Sequence, residues 1–303
     1  MKRAIVFIRK KWMLLLAGLV FLGALILLIV ILTPPEKPRE FTADRAYRDV
    51  VTQVDMGPRV PGSDAHARFR SWLVKDLKRS GWRVETQSEI ELGHNLYNII
   101  AKRGSGRPWI ILAAHYDSRY LADHDSQPDR QLQPVPGAND GASGVAVLLE
   151  LARILPRHLS GQVWLVFFDG EDQGNIEGWD WILGSSAFVR DLRRYPDKMV
   201  LIDMIGDRDL QVFYERNSDI DLSEDIWQTA DKLGYGEVFI PLPKYQILDD
   251  HIPFQNAGIP AVDIIDFDYS YWHTSQDTAN KVAPESLEII GRTLLSWLMD
   301  EIQ

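Results

Sequence analysis

Residues 163–174 read VWLVFFDGEDQG: six apolar residues run straight into Asp169, Gly170, Glu171 and Asp172. Three carboxylates so close repel one another unless a cation or a shared proton compensates. The same passage from apolar run to ionisable group recurs along the chain. WIILAAHYD (109–117) ends in His115 and Asp117, and KMVLIDMIGD (198–207) carries Asp203. IPAVDIID (259–266) is followed by Tyr271, Trp272 and His273, and Asp140 stands in PGAND, directly before GASGVAVLLELARIL (141–155). The chain has no cysteine, so any metal must be held by imidazole and carboxylate. That donor chemistry suits zinc, or another borderline divalent ion, in a site left open to substrate.

The elements that must deliver these groups follow from periodicity. The runs at 109–117 and 162–170 are continuously apolar, as in central strands covered on both faces. Strands are also expected at 83–90, 95–101, 198–207, 210–216 and 259–266. Helices are expected at 141–155, 221–234 and 283–303, and from a Ser63 cap to a Gly81 stop, where Ala65, Phe69, Leu73 and Leu77 recur every fourth residue. Alternating strands and helices predict an α/β fold, a mainly parallel sheet flanked by helices. In such sheets the carboxyl ends of the strands form the binding edge, and that is where the ionisable groups fall.

The first forty residues differ from the rest. Residues 12–32, WMLLLAGLVFLGALILLIVIL, hold no charge and would span roughly 31 Å as a helix, the thickness of a bilayer's hydrocarbon core. Lys2, Arg3, Arg9, Lys10 and Lys11 precede the run, and no small-residue cleavage pattern follows it. The expected organisation is a cytoplasmic tail at 1–11, a transmembrane anchor at 12–32, a Pro-rich stalk at 33–42 and an extracytoplasmic catalytic domain at 43–303. The membrane is thus an expected partner through the N-terminal helix, whereas a net charge of −10 argues against nucleic acid.

AHYDS, PGANDGASGVAVLLELAR, LVFFDGED, VLIDMIGD, DDHIPF and YWHT resemble, in order and spacing, the zinc aminopeptidase superfamily (metallopeptidase family 28), in particular its glutaminyl cyclase branch. The resemblance runs from GPRVPGS at Gly57 to the C-terminus and implies that superfamily's α/β/α fold. It further implies Asp140, Asp172 and His273 as ligands of one zinc, with His115 and Asp203 holding a second, bridged by Asp140, if the chain is a peptidase. Glu171 matches the general acid/base of both branches. In a cyclase Asp203 and Asp249 form a supporting proton network, and the substrate is a peptide or protein N-terminus. The chain departs from the pattern in having Asp172 where Glu is usual and Asp263 where animal cyclases carry His.

Two activities remain open on these residues: cyclisation of N-terminal glutamine to pyroglutamate with loss of ammonia, or two-zinc hydrolysis of N-terminal residues. Asp249, where such aminopeptidases tend to have Ser, and the aromatic Trp272 beside His273 favour the cyclase. A metal-free binding ectodomain is the third reading, and the intact donor set argues against it. Trp179, Trp272 and Asp263 are expected at the substrate pocket, with Trp181 the other indole that could wall it. Asp263 is placed there to meet the substrate's α-ammonium, a role open also to Asp266 and Asp268. Asp169 is expected to shape its turn. Among the seven histidines, His66, His94 and His158 are expected at the surface, His124 in a solvated insertion, and His251 in a hydrogen-bonded supporting role.

Overall fold

The structure is a computed structural model that describes residue 21 and residues 38–302. The chain divides into Met1–Lys37 and Pro38–Gln303, and the second unit holds every helix and strand named below. The tail, nearly all of the expected anchor and the stalk up to residue 37 lie outside the described residues. Among the described residues no helix is long and apolar enough to cross a membrane.

Seven helices are named here: α1 (Ala43–Asp55), α2 (Asp64–Arg79), α3 (Ala142–Ile154), α4 (Leu183–Asp191), α5 (Ile220–Lys232), α6 (Ile252–Asn256) and α7 (Pro284–Glu301). The strands are β1 (Arg83–Glu91), β2 (His94–Gly104), β3 (Trp109–His115), β4 (Gln162–Phe168), β5 (Lys198–Asp203), β6 (Val212–Tyr214), β7 (Phe239–Pro243) and β8 (Ala261–Ile265). Six of them form one sheet in the order β1-β2-β4-β3-β5-β8, with β6 and β7 paired separately. β3, β4, β5 and β8 run parallel, and β1 and β2 join antiparallel at one edge. The mixed sheet flanked by helices matches the expectation.

Every residue of β3 is buried, because helices cover both faces. Alternation then splits the strand: Ile110, Leu112 and Ala114 enter the core shared with α1, α2, α3, α5 and α7. Trp109, Ile111 and Ala113 enter the smaller core that Phe188 of α4 and Phe254 of α6 close. The cap on α2 is as the sequence predicts, Ser63 accepting from the His66 amide at 3.1 Å, and Gly81 follows the helix at φ 85°.

Three differences stand out. The run at 198–207 ends as a strand at Asp203, and 210–216 shortens to β6, which pairs with β7 rather than joining the main sheet. Helices α1, α4 and α6 were not expected. α1 buries polar groups along with apolar ones: Arg45 chelates Glu150 of α3, Arg153 of α3 pairs with Asp49, and Gln53 donates to the Ala142 carbonyl at 3.0 Å. The chain enters this unit at the carboxyl end of α3, where the Arg39 amide donates to the Ile154 carbonyl at 3.2 Å. Gly141, at the other end of α3, lies on the edge that carries the site.

Candidate active site

Register brings the ionisable groups together. His115 pairs with Phe168 across β3 and β4, and Asp203 with Ile265 across β5 and β8, so these strands end on one edge. There His115 Nε2 lies 3.1 Å from both Asp140 Oδ1 and Asp203 Oδ1. His273 Nε2 lies 2.8 Å from Asp172 Oδ1 and 3.9 Å from Asp140 Oδ2. Among the described residues three sets of three donors have their donor atoms within 4.8 Å of one another: Asp140–Asp172–His273 and His115–Asp140–Asp203, both buried, and Asp123–His124–His273, of which only His273 is buried. A tetrahedral zinc with bonds near 2.0–2.1 Å keeps its ligands about 3.3 Å apart, so the two buried sets have the right reach. Asp140 Oδ2 and Asp172 Oδ2 are buried with no hydrogen-bond partner. Orphaned buried carboxylate oxygens are costly without a cation, and the donors present fit zinc.

The fold holds these donors from behind. Asp117 Oδ1 accepts from the Glu171 amide at 3.1 Å, and its Oδ2 from the Asp172 amide at 3.3 Å and Gln173 Nε2 at 3.0 Å. Asp277 does the same under Asp140, accepting from the amides of Asn139 at 2.8 Å and Asp140 at 3.2 Å. Arg59 is fully buried and donates to the carbonyls of Tyr116, Pro136 and Gly137, clamping the turn that leads to Asp140. A side chain at Gly141 is impossible without movement, since a Cβ there would meet His115 Nε2 and the His115 carbonyl at 2.5 Å. His273 itself sits at φ 56°, a left-handed conformation that costs a β-carbon residue about 1–2 kcal/mol. Of the supports, Arg59 and Asp117 stood in quoted motifs, whereas nothing local in TSQDT marks Asp277.

Burial and mutual repulsion dominate the electrostatics. Burial, and then the Asp249 charge, push Glu171 well above the usual carboxylate range. Burial and Asp140 push Asp172 up to about 6, and burial and Asp203 push Asp249 up to about 7. Burial would raise Asp140 too, but the hydrogen bond and charge of His115 outweigh it and hold it low. The edge is rich in negative charge and short of a cation, and a bound dication answers both conditions.

A cavity of about 230 Å³ opens onto the donors. Trp181, Ile247, Leu248, Phe267 and Trp272 wall it; Glu171, Asp203 and Asp249 reach it alongside Asp140, Asp172 and His273. A larger groove of about 630 Å³ lies at the far end of the sheet over Trp109, Trp164 and Phe188, without any of these groups. Chemistry, not size, selects the smaller one.

Several expected positions need correction. Trp179 does not line the cavity: it stacks on His94 with ring centroids 3.6 Å apart, and Trp181 takes the wall, seated over Gly174, where a Cβ would fall 2.0 Å from the indole. Asp263 is fully buried on β8 and does not line the cavity, which takes Ile265, two residues further along the strand, instead. Its carboxylate is near His251 Nδ1 at 4.0 Å, and burial and the Asp249 charge raise its pKa well above normal. His66 is not at the surface, since its Nε2 is 2.8 Å from Asp169 Oδ1 in the core. Asp169 also accepts from the Tyr97 amide of β2 at 2.8 Å, tying the turn to the neighbouring strand. His251 packs in a supporting position, Nε2 3.1 Å from Glu215 Oε2. His124 is exposed, yet its ring meets Trp272 edge-on at 4.7 Å.

The family model of peptidase family M28 matches residues 98–298, and the chain belongs to that family. Within it, the chain is similar to glutaminyl cyclases. It is 33% identical to the crystal structure of Porphyromonas gingivalis glutaminyl cyclase, covering 87% of this chain and all of that one with a TM-score of 0.81. A zinc-dependent exopeptidase from Parabacteroides distasonis is also 33% identical, over 85% of this chain and 97% of its own, with a TM-score of 0.76. The glutaminyl-peptide cyclotransferase of Boiga irregularis is 27% identical over 290 residues, 80% of this chain and 77% of that protein.

Proposed function

We propose that this chain is a zinc-dependent glutaminyl-peptide cyclotransferase that closes the N-terminal glutamine of peptides or proteins to pyroglutamate and releases ammonia. The carrying observation is the cavity itself, where Glu171, Asp203 and Asp249 meet the donors Asp140, Asp172 and His273 between apolar walls. The α-amine attacks the side-chain amide carbon; the new C–N bond replaces the one to the departing nitrogen, and one proton moves from the amine to ammonia. When bound by Asp140, Asp172 and His273, zinc supplies Lewis-acid polarisation of the amide carbonyl. Glu171 takes the proton from the attacking amine and returns it to the leaving nitrogen, which its raised proton affinity suits. Asp203 and Asp249 hold the proton network beside it. Trp181 and Trp272 confine the folded-back side chain and limit water, which this reaction does not consume.

The reading takes one zinc. Asp203 Oδ1 faces His115 and accepts from the Met204 amide at 2.8 Å, a hydrogen-bonding role that asks for no second ion. The His115–Asp140–Asp203 set would equally reach an ion, which keeps two-zinc aminopeptidase as the competing outcome. Incubation with a Gln-initiated and, separately, a Leu-initiated peptide decides. Ammonia release without shortening supports the cyclase, and free amino acid overturns it in favour of the peptidase.

The location of the enzyme is also a proposal. Residues 12–32 anchor it as a single span, with the basic N-terminus inside and the catalytic unit outside the cytoplasm. Protease added to spheroplasts should digest residues 38–303; a unit protected until the membrane is broken would overturn this topology.

A further inference from the structure

The insertion between β3 and Asp140 has no part in the chemistry above, yet it touches a metal donor. His273 Nδ1 is buried without a hydrogen-bond partner, while Nε2 faces Asp172 and Asp140. The charged group nearest Nδ1 is Asp123, whose Oδ1 is 3.6 Å away. Asp123 is itself held: Arg119 Nε donates to Oδ1 at 2.8 Å and Nη2 to Oδ2 at 2.6 Å. Arg119 is 1% exposed, and its Nη1 and Nη2 donate to the carbonyls of Asp172 at 3.0 Å and Gly174 at 3.1 Å. Its guanidinium lies 5.1 Å from the centre of the Trp181 ring, which in turn stacks on His273 at 6.0 Å and 12°. The His124 amide completes the frame by donating to the His273 carbonyl at 3.1 Å.

We infer that Asp123, clamped by Arg119, is the positioning residue for His273, accepting its Nδ1–H when Nε2 is given to the metal. This rests on His273 being a metal donor. A metal-bound imidazole is neutral and keeps its remaining proton on the other nitrogen, which fixes that nitrogen as a donor. A buried donor left unpaired is costly, and Asp123 supplies the only carboxylate within 4 Å of Nδ1 among the described residues. Closing from 3.6 Å to a hydrogen bond of about 2.9 Å takes a small rotation of a side chain that is 38% exposed. The carboxylate then sets the ring's tautomer and orientation and raises the basicity of Nε2. Arg119 also binds the Asp172 carbonyl, so one buried cation registers two of the three donors.

The test measures zinc affinity by chelator competition in the full-length protein and its Asp123→Ala, Asp123→Asn, His124→Ala and His273→Ala variants. Asp123→Ala should bind zinc about 10–100-fold more weakly, with Asp123→Asn between it and wild type. The cobalt-substituted Asp123→Ala protein should show shifted visible bands, while the melting midpoint of its metal-free form stays at the wild-type value. His124→Ala should match wild type; an equal loss there would overturn the inference by making Asp123 and His124 ligands of their own site. Affinity within about twofold of wild type for Asp123→Ala, with zinc lost in His273→Ala, would refute the positioning role alone. Zinc kept in His273→Ala would sink the donor assignment and this inference together.

Discussion

Replacing Asp117 by Asn asks whether the acidic loop after β4 is built from beneath. The fully buried carboxylate takes three donors, from the amides of Glu171 and Asp172 and from Gln173 Nε2. An Asn has one carbonyl, so its best orientation serves Asp172 and Gln173 and turns an amide N–H against the Glu171 amide. That forfeits one hydrogen bond to a charged acceptor, about 1.5–3 kcal/mol, and reduces two others to neutral strength. The expected loss is about 3 kcal/mol, a large share of the 5–15 kcal/mol typical of a folded domain. Urea unfolding of the metal-free protein measures it, with an unchanged slope and a lower midpoint. Burial opposes ionisation of Asp117, but His115, Gln173 and the Glu171 amide overcome that and hold its pKa below the usual range. A group depressed in the folded state stabilises above its unfolded pKa of about 3.9, and the contribution disappears as pH falls through the folded value. The gap between wild type and variant should therefore be flat through neutral pH and close only below about pH 4. A gap under about 1 kcal/mol at neutral pH would show that the loop holds itself and refute the argument.

Glu171→Gln should keep its zinc and lose about 10²–10⁴-fold in turnover of a Gln-initiated peptide, since the amide cannot carry the proton. His115→Ala should retain the full wild-type zinc content by elemental analysis, whereas a fall to half would mean that two ions are bound. Trp181→Ala should raise KM for Gln-initiated peptides by more than it lowers kcat, and Trp179→Ala should leave both unchanged, because only the first walls the cavity. Gly141→Ala, which forces a methyl group against His115, should cost about 1–3 kcal/mol of stability and lower zinc content, read by unfolding and metal analysis.

The parallel sheet was legible because β3 and β4 are hydrophobic without interruption, and burial on both faces is the only environment that tolerates such runs. Once the strands are parallel, His115, Asp140, Asp172, Asp203 and His273 must converge, since successive strand ends share one edge whatever their distance in sequence. What stayed hidden was set by partners rather than by pattern. α1 buries Asp49 and Gln53 against α3, so its inner face reads as polar until Arg153 and the Ala142 carbonyl are known. His66 sits at an exposed-looking step of an amphipathic helix, and only the return of Asp169 from β4 makes it a core residue. Trp179 and Trp181 differ by two positions, and which one turns to the cavity depends on the space above Gly174. Asp263 shows the limit most clearly: an acid where animal cyclases carry His invites a place at the pocket facing the substrate's α-ammonium, yet its strand has five buried residues. The structure buries it near His251 Nδ1 instead, with Asp249 and Glu215 close enough to act on its charge. The metal donors are common to the cyclase and peptidase readings, and the buried acids and imidazole behind them, Glu215, Asp249, His251 and Asp263, come from separate elements with no spacing rule to announce that they meet.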